Sequence, residues 1–432
     1  MKSFFLKIYF FKLAILTKLY LRRTRPLIIW ITGSVGKTSC RMIVTQVLKQ
    51  LLPEKKIYTS PKNFNSEIGL ILSIFQIESY DPSIKNLCIL WWKIFFSLLR
   101  PKNIPDILVL EYGIDHPHDM KFLTMISKAD IAIFTKLDAV HSSNFASVDA
   151  VWNEKFLLMK TAKQRVYLNS FDEYCKNHTE DIKSPLRFYN QWDLKVENLS
   201  YIKEDQKIWT KVDWEFWEVT TNLMWKENLA YILIGIDIAN FISAWSVHQD
   251  IHHFDLSLQP GRFNTFSLNT NILIDSSYNA APESMKVMIE NTKNLRNILV
   301  SNDKLGFCIG DMRELGELSG ESHKNLVPLL LEADFIFTVW PEMKSYLIPE
   351  LLKNNYKGLI KDYLSSREAG KELKIYLESI GNKSVILFKW SQNTIFMEEA
   401  LKEVLWDQVS QWELVRQSDD WKKKKEVFFW KT

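Results

Sequence analysis

A chain of 432 residues exceeds what one ordinary core holds, and usual domain sizes suggest two or three domains. Hydrophobic residues at 47% allow full globular burial, while a net charge of only +4, spread along the chain, argues against nucleic acid as a partner and leaves anionic small ligands open. Cys40, Cys88, Cys175 and Cys308 lie too far apart for a metal-ligand or disulfide pattern, which fits a reducing cytoplasm.

In residues 1–26, MKSFFLKIYFFKLAILTKLYLRRTRP, Lys7, Lys12 and Lys18 interrupt every apolar stretch short of the roughly 20 residues a span needs. No small-residue cleavage site follows, so a secretory signal is not expected. A basic, aromatic helix of this kind suits either the membrane interface, drawn by anionic lipids, or packing on the next domain. A second apolar run with one lysine, CILWWKIFFSLL from Cys88 to Leu99, tilts the reading toward peripheral membrane contact, at the inner face of the membrane.

The stretch that organises the chain is LIIWITGSVGKTSCRMIVTQ, residues 27–46. Leu27 to Ile31 is short, β-branched and nearly free of polar groups, as in a strand buried on both faces of a parallel sheet. A loop with Gly33, Ser34, Gly36, Lys37, Thr38 and Ser39 follows. It reads T-G-x-x-G-K-T, not the longer phosphate-loop expression, whose first glycine would stand at Ile31. Glycines there let N–H groups close around phosphate, Lys37 faces the outer phosphates, the Thr38 hydroxyl can ligate Mg²⁺, and the following helix adds its positive end. The competing reading is a glycine turn with an exposed lysine.

Beyond it, Lys56 to Thr59 reads as a short strand. SPKNFNSEIGLILSIF then sets Asn63, Asn65 and Ser66 in a polar loop before an apolar helix, where amides can hydrogen-bond a substrate. DILVLEYG, residues 106–113, is a second buried strand ending in Glu111; carboxyl ends of parallel strands face the ligand crevice, so this carboxylate can reach a metal at the phosphate loop or serve structurally. A third strand, Asp130 to Thr135, precedes His141, which by itself suits a turn or cap, and Lys155 follows fourteen residues later in a helical pattern. Short alternating stretches over residues 165–220 suggest a small accessory sheet, and Glu227 to Ser243 a strongly apolar helix. Pro260, Gly261 and Arg262 close this domain. In the remainder, strands are expected at Asn271 to Asp275, 304–310, 334–339 and 384–389, with helices between them. Asp311, Met312 and Glu314 fall in a loop, His323 on the next helix, and the basic aromatic tail WKKKKEVFFWKT reads as a solvated end.

These motifs, in this order, resemble those of the Mur ligases, the ATP-dependent amide-forming enzymes of peptidoglycan precursor synthesis, and within that family the MurF branch. ITGSVGKTS is similar to the G-T/S-x-G-K-T loop, KNFNSEIG to N-x-N-N-x-I-G, LEYGI to E-M-G-I and AVHSSNF to A-H-L-x-x-F. DSSYNAAPESM is similar to D-D-S-Y-N-A-N-P-x-S-M, and IGDMRELGELSGESH to L-G-D-M-x-E-L-G-x-x-S-x-x-H. The resemblance implies an α/β fold: residues 1–26 a basic aromatic helix, residues 27–262 a phosphate-loop parallel-sheet ATPase domain with a small accessory sheet, and residues 263–432 a Rossmann-like α/β domain.

It implies ATP and two Mg²⁺, with Glu111 and His141 as metal ligands beside Thr38. Lys155, at the spacing of a lysine carbamylated in several members, becomes an anionic oxygen ligand if modified. Arg262, Tyr278 and Asn279 would contact the nucleotide. The implied reaction is attack of a substrate carboxylate on the γ-phosphate of ATP to give an acyl phosphate, which an amine then displaces; Lys37, His141 and Lys155 would assist, and domain closure would exclude water. A muramoyl peptide would be acceptor and an amino acid or dipeptide, D-alanyl-D-alanine in the MurF branch, the incoming amine. The chain would act as a monomer in the cytoplasm.

Departures stand beside the likeness. Ser276 replaces the family's second aspartate and Ala281 an asparagine; in FKWSQN, set against K-G-S-R, Trp390 replaces glycine and Gln392 arginine, which leaves the incoming amine open. Only 26 residues precede the first strand, too few for the separate substrate domain expected ahead of it, so a lipid or another handle on the acceptor enters as an alternative. Other ligases of the family, of the folyl-glutamate or cyanophycin type, and a non-catalytic ATP-driven switch are the rival readings.

Overall fold

The computed structural model describes residues 2–431 apart from 61–66, 78–83, 115–116, 138–147, 191–196, 205–206, 215–216, 245–250, 301, 314, 382, 391–394 and 407–412. Asn63, Asn65, Ser66 and His141 therefore lie outside the described residues, as do Glu314 and Gln392. Two compact units emerge, residues 1–202 with 208–257, and residues 203–207 with 258–432.

The first unit is built on six strands, β1 (Leu27–Thr32), β2 (Ile57–Tyr58), β3 (Ile107–Glu111), β4 (Ile131–Phe134), β5 (Arg165–Asn169) and β6 (Leu186–Tyr189), in the order β2-β3-β1-β4-β5-β6. Every neighbouring pair is parallel. β1, β3 and β4 are apolar and buried along almost their whole length because helices cover both faces. Ile31 is level with Glu111 on one side and Ile133 on the other, so the carboxyl ends of the three central strands finish together. The chain leaves β1 toward β2 on one side and leaves neighbouring β4 toward β5 on the other, and such a switch point opens a crevice for ligands.

The helix Lys37–Leu51 leaves this edge directly after β1, and Lys226–Ile242 packs against it so closely that a Cβ on Gly235 would lie 2.8 Å from Val47 Cγ1. The latter helix is buried on all sides, as its sequence predicts, and carries one acid inward. Buried Asp237 accepts hydrogen bonds from Arg165 Nη1 at 2.8 Å and from the Tyr167 hydroxyl, tying the helix to β5. RVYLN and LRFYN thus extend the main sheet instead of entering the accessory sheet expected for residues 165–220. That smaller sheet consists of β7 (Glu197–Glu204), β8 (Lys207–Trp214), β9 (Trp217–Thr221) and β10 (Ile251–Phe254), in the order β10-β9-β8-β7.

The N-terminal helix, Lys2–Thr24, presses Ala14, Tyr20 and Leu21 into the core of the first unit. No helix among the described residues is long and apolar enough to cross a membrane.

The second unit holds β11 (Asn264–Leu268), β12 (Asn271–Ser276), β13 (Lys304–Gly310), β14 (Phe335–Val339), β15 (Leu359–Tyr363) and β16 (Ser384–Lys389), in the order β11-β12-β16-β13-β14-β15. All pairs are parallel except β11 with β12. Its tail is not a solvated end. The helix Asp419–Lys431 packs Phe428 against Trp340 and Phe396, and sinks Lys425 between Glu398 and Glu399 at 2.9 and 2.8 Å.

Candidate functional site

The turn after β1 is shaped by two glycines with positive φ. Gly33 sits at φ +142°, where a Cβ would come within 2.1 Å of Thr135 Oγ1; Gly36 sits at φ +86°, where one would meet the Tyr231 hydroxyl at 2.5 Å. Only glycine suits both the angle and the space. Thr135, directly after β4, closes the turn by donating to Val35 O at 2.5 Å. The Ser34 N–H donates to Lys136 O at 2.7 Å, so that amide is directed at protein, and the N–H groups that start the Lys37–Leu51 helix, whose N-cap Gly36 offers no side-chain cap, are the ones suited to an anion.

Two lysines bracket the loop. Lys37 Nζ donates to Ser34 O at 3.0 Å, and Lys155 Nζ, on the Val148–Thr161 helix and buried, donates to Gly33 O at 3.0 Å. Beside them Thr38 Oγ1 donates to Glu111 Oε1 at 3.0 Å, bringing the helix start and the β3 end together across the sheet edge. A hydroxyl and a carboxylate in contact are hard oxygen donors of the kind Mg²⁺ takes. Ser39 lies buried on the same helix. Residues Gly33 to Ser39, Glu111 and Lys155 are thus neighbours. Among the described residues no group of three or more His, Cys, Asp and Glu side chains forms a metal cage.

Sequence reasoning passed over Arg41. Its Nε donates to Glu111 Oε2 at 3.1 Å, and its Nη1 to Thr59 Oγ1 at 2.9 Å and to Ser60 O. Arg41 follows Thr38 by three positions and so shares its helix face, a spacing too common to single it out in the sequence.

Arg262, Tyr278 and Asn279 form a separate group in the second unit. The Arg262 guanidinium lies over the Tyr278 ring, 4.1 Å from its centroid, and Tyr278 N donates to Gly261 O at 3.1 Å. Arg262 Nε is shielded from solvent with no hydrogen-bond partner among the described residues, an unspent donor beside an aromatic face. Lys389, at the end of β16, donates to Ser276 Oγ at 3.1 Å and to Asn279 O at 2.9 Å, and so holds this loop in place. Burial, and then the charge of Arg262, push the Lys389 ammonium down from the ordinary 10.5 to about 7, against the opposing pull of Asp275; burial lifts the Asp275 carboxyl to about 6.

A lysine whose folded-state value is depressed binds fewer protons folded than unfolded, so stability rises with pH between about 7 and 10.5. A Lys389→Met variant is expected to flatten that rise in denaturation curves taken across the interval; an unchanged slope would show that another group drives it.

Trp390, in place of a glycine, is buried, and Gly310 makes its room: a Cβ there would stand 2.9 Å from Trp390 Cε3. Asp311 and His323 turn to structural work, since the Asp311 carboxylate accepts from Met343 N at 2.8 Å and His323 Nε2 accepts from Met312 N at 3.0 Å.

Residues 31–239 match the family model of the Mur ligase middle domain. The UDP-N-acetylmuramoyl-tripeptide–D-alanyl-D-alanine ligase of Borreliella burgdorferi is 24% identical over 319 residues, covering 72% of this chain and 62% of that protein. The enzyme of the same name from Bacillus subtilis is 22% identical over 398 residues, covering 90% of this chain and 78% of that one. The crystal structure of MurF ligase from Thermotoga maritima in complex with ADP superposes with a TM-score of 0.69 at 21% identity, over 91% of this chain and 83% of that one, which shows a common fold. The chain thus spans about three fifths, 62%, of the Borreliella relative's length.

Proposed function

We propose that this chain, whose residues 31–239 match the model of the Mur ligase middle domain, joins a carboxylate to an amine at the expense of ATP, adding D-alanyl-D-alanine to a muramoyl tripeptide. One observation carries the reading: Thr38 and Glu111 meet at 3.0 Å beside a glycine loop that two lysines bracket, the layout of a site that receives a triphosphate and a cation together. The names of the Borreliella and Bacillus relatives support the choice of acceptor and amine.

In this reading a carboxylate oxygen of the acceptor attacks the γ-phosphorus of ATP, the bond to the ADP oxygen breaks, and an acyl phosphate forms. The amine nitrogen then attacks the acyl carbon, phosphate departs, and the nitrogen gives up a proton. Lys37 leaves the Ser34 carbonyl for the outer phosphates, and the first amides of the Lys37–Leu51 helix hold the inner ones, placing positive charge where negative charge accumulates. Mg²⁺, when bound, would neutralise phosphate oxygens, with Thr38 and Glu111, and His141 by family likeness, as its protein ligands. Arg262 and Tyr278 present a cation and a ring face suited to the adenosine part, Asn279 lies in the same loop, and Asn63, Asn65 and Ser66 are assigned to the acceptor. Lys155 is assigned a carbamate, which replaces its donation to Gly33 with an anionic oxygen ligand.

The test is phosphate release from ATP in the presence of muramoyl tripeptide, D-alanyl-D-alanine or both, with folate plus glutamate as the rival pair, after incubation with bicarbonate. Release that needs both muramoyl tripeptide and the dipeptide is expected, together with a native mass of the whole protein raised by one carbon dioxide, an increment that Lys155→Arg removes. Turnover only with folate and glutamate would overturn the muramoyl and dipeptide substrates, and nucleotide binding with no turnover would overturn the ligase assignment; a bare amine in the active enzyme would remove the carbamate alone.

A further inference from the structure

Two helices of the first unit are apolar on the side that faces away from the protein. In Lys2–Thr24, the buried side consists of Leu13, Ala14, Thr17, Tyr20 and Leu21, yet Ile8, Phe11, Ile15 and Leu19 are 40 to 49% exposed. Their spacing of three and four residues makes one stripe, and Lys12 and Arg22 fall on the same face. In Ile84–Leu99, Leu90 and Ile94 turn inward while Ile89, Trp92, Phe96 and Leu99 are 50 to 59% exposed, with exposed Lys93 and Arg100 beside them. Neither stripe is needed for the fold, whose core takes the opposite sides.

The helices run side by side in the same direction. The Tyr9 hydroxyl donates to Leu87 O at 2.5 Å near one end, and Arg23 Nη1 to Leu98 O at 2.8 Å near the other. Between them runs an open groove of about 390 Å³, lined by Ile8, Tyr9, Lys12, Cys88, Trp91 and Trp92. Both stripes therefore border one surface, and a continuous apolar patch of this kind marks an interaction site.

Charge identifies what covers it. Residues 2–24 and 84–105 contain no aspartate or glutamate, so every charge the two helices offer is positive. An anionic bilayer surface satisfies both halves of this chemistry: Trp92, Phe96 and Phe11 enter the headgroup and acyl boundary while Lys12, Arg22, Lys93 and Arg100 reach lipid phosphates. We propose that this two-helix face docks flat on an anionic phospholipid membrane, without crossing it.

Flotation of the full chain with vesicles tests this, using phosphatidylcholine alone and phosphatidylcholine mixed with phosphatidylglycerol. Binding is expected to the mixed vesicles, to weaken with added salt, and to be far weaker on the neutral ones. Each basic residue near the surface is worth about fivefold in partitioning, so Lys12→Glu with Lys93→Glu should cost about 25-fold or more. Trp92→Glu with Phe96→Glu should abolish binding. The lysine pair is solvent-facing, so its loss of binding with an unchanged melting curve separates docking from folding. Equal partitioning to both vesicle types, or binding untouched by either double variant, would overturn the proposal. So would a lipid-free dimer that Trp92→Glu dissociates, because the face would then belong to a second copy.

Discussion

Lys37→Ala is expected to lower ATP-dependent ligation by about a thousandfold or more, the scale on which a preorganised charge acts in phosphoryl transfer. The fold should be indifferent to the change. Lys37 is half-buried, and its ammonium donates to the carbonyl of Ser34, a loop acceptor that water can satisfy once the lysine is gone. During transfer, by contrast, negative charge spreads over the phosphoryl oxygens, and Lys155, assigned a carbamate in place of its contact with Gly33, would bring no positive charge to take over. Single-turnover ligation set beside nucleotide affinity and a far-ultraviolet spectrum makes the measurement. Ligation within a few fold of the parent would remove Lys37 from catalysis and with it the phosphate-loop reading.

A second large effect lies far from any chemistry. Lys425 is 2% exposed and bonds Glu398 Oε1 at 2.9 Å and Glu399 Oε1 at 2.8 Å; each carboxylate has one further cation, Arg416 at 3.0 Å and Arg367 at 2.9 Å. Lys425→Ala leaves two adjacent buried carboxylates short of a counter-charge, and breaking a buried pair in this way costs about 3 to 5 kcal/mol. The Asp419–Lys431 helix should detach first, read as early cleavage by a protease and an earlier denaturant midpoint. A change below about 0.5 kcal/mol would show that the two arginines suffice.

The same lysine explains why part of the fold was hidden in the sequence. A run of four lysines reads as solvated because hydropathy sees charge and cannot see Glu398 and Glu399 waiting on another helix. The strands 304–310 and 384–389, in contrast, were legible to the residue, being unbroken apolar runs with abrupt polar or glycine ends. β5 and β6 were legible as strands but not as members of the main sheet. Short alternating segments suit either sheet, and the choice is made by Asp237, a residue distant in sequence, which binds Arg165 and Tyr167. At the site, the loop and the Glu111 strand end declared themselves through parallel-sheet topology. Arg41 did not, because an arginine in a helix is ordinary until the carboxylate it meets is known.

That contact has a consequence for the order of events. Glu111 is held between Thr38 and Arg41, so its charge is closed within the protein when the strand end folds in. The proposed Mg²⁺ would therefore compete with the Arg41 guanidinium for Glu111 Oε2, and the guanidinium has Thr59 and Ser60 as further partners. In that reading Arg41, one turn into the Lys37–Leu51 helix, supplies Glu111 with a positive partner until a metal takes its place, and loading would be a substitution of one cation for another.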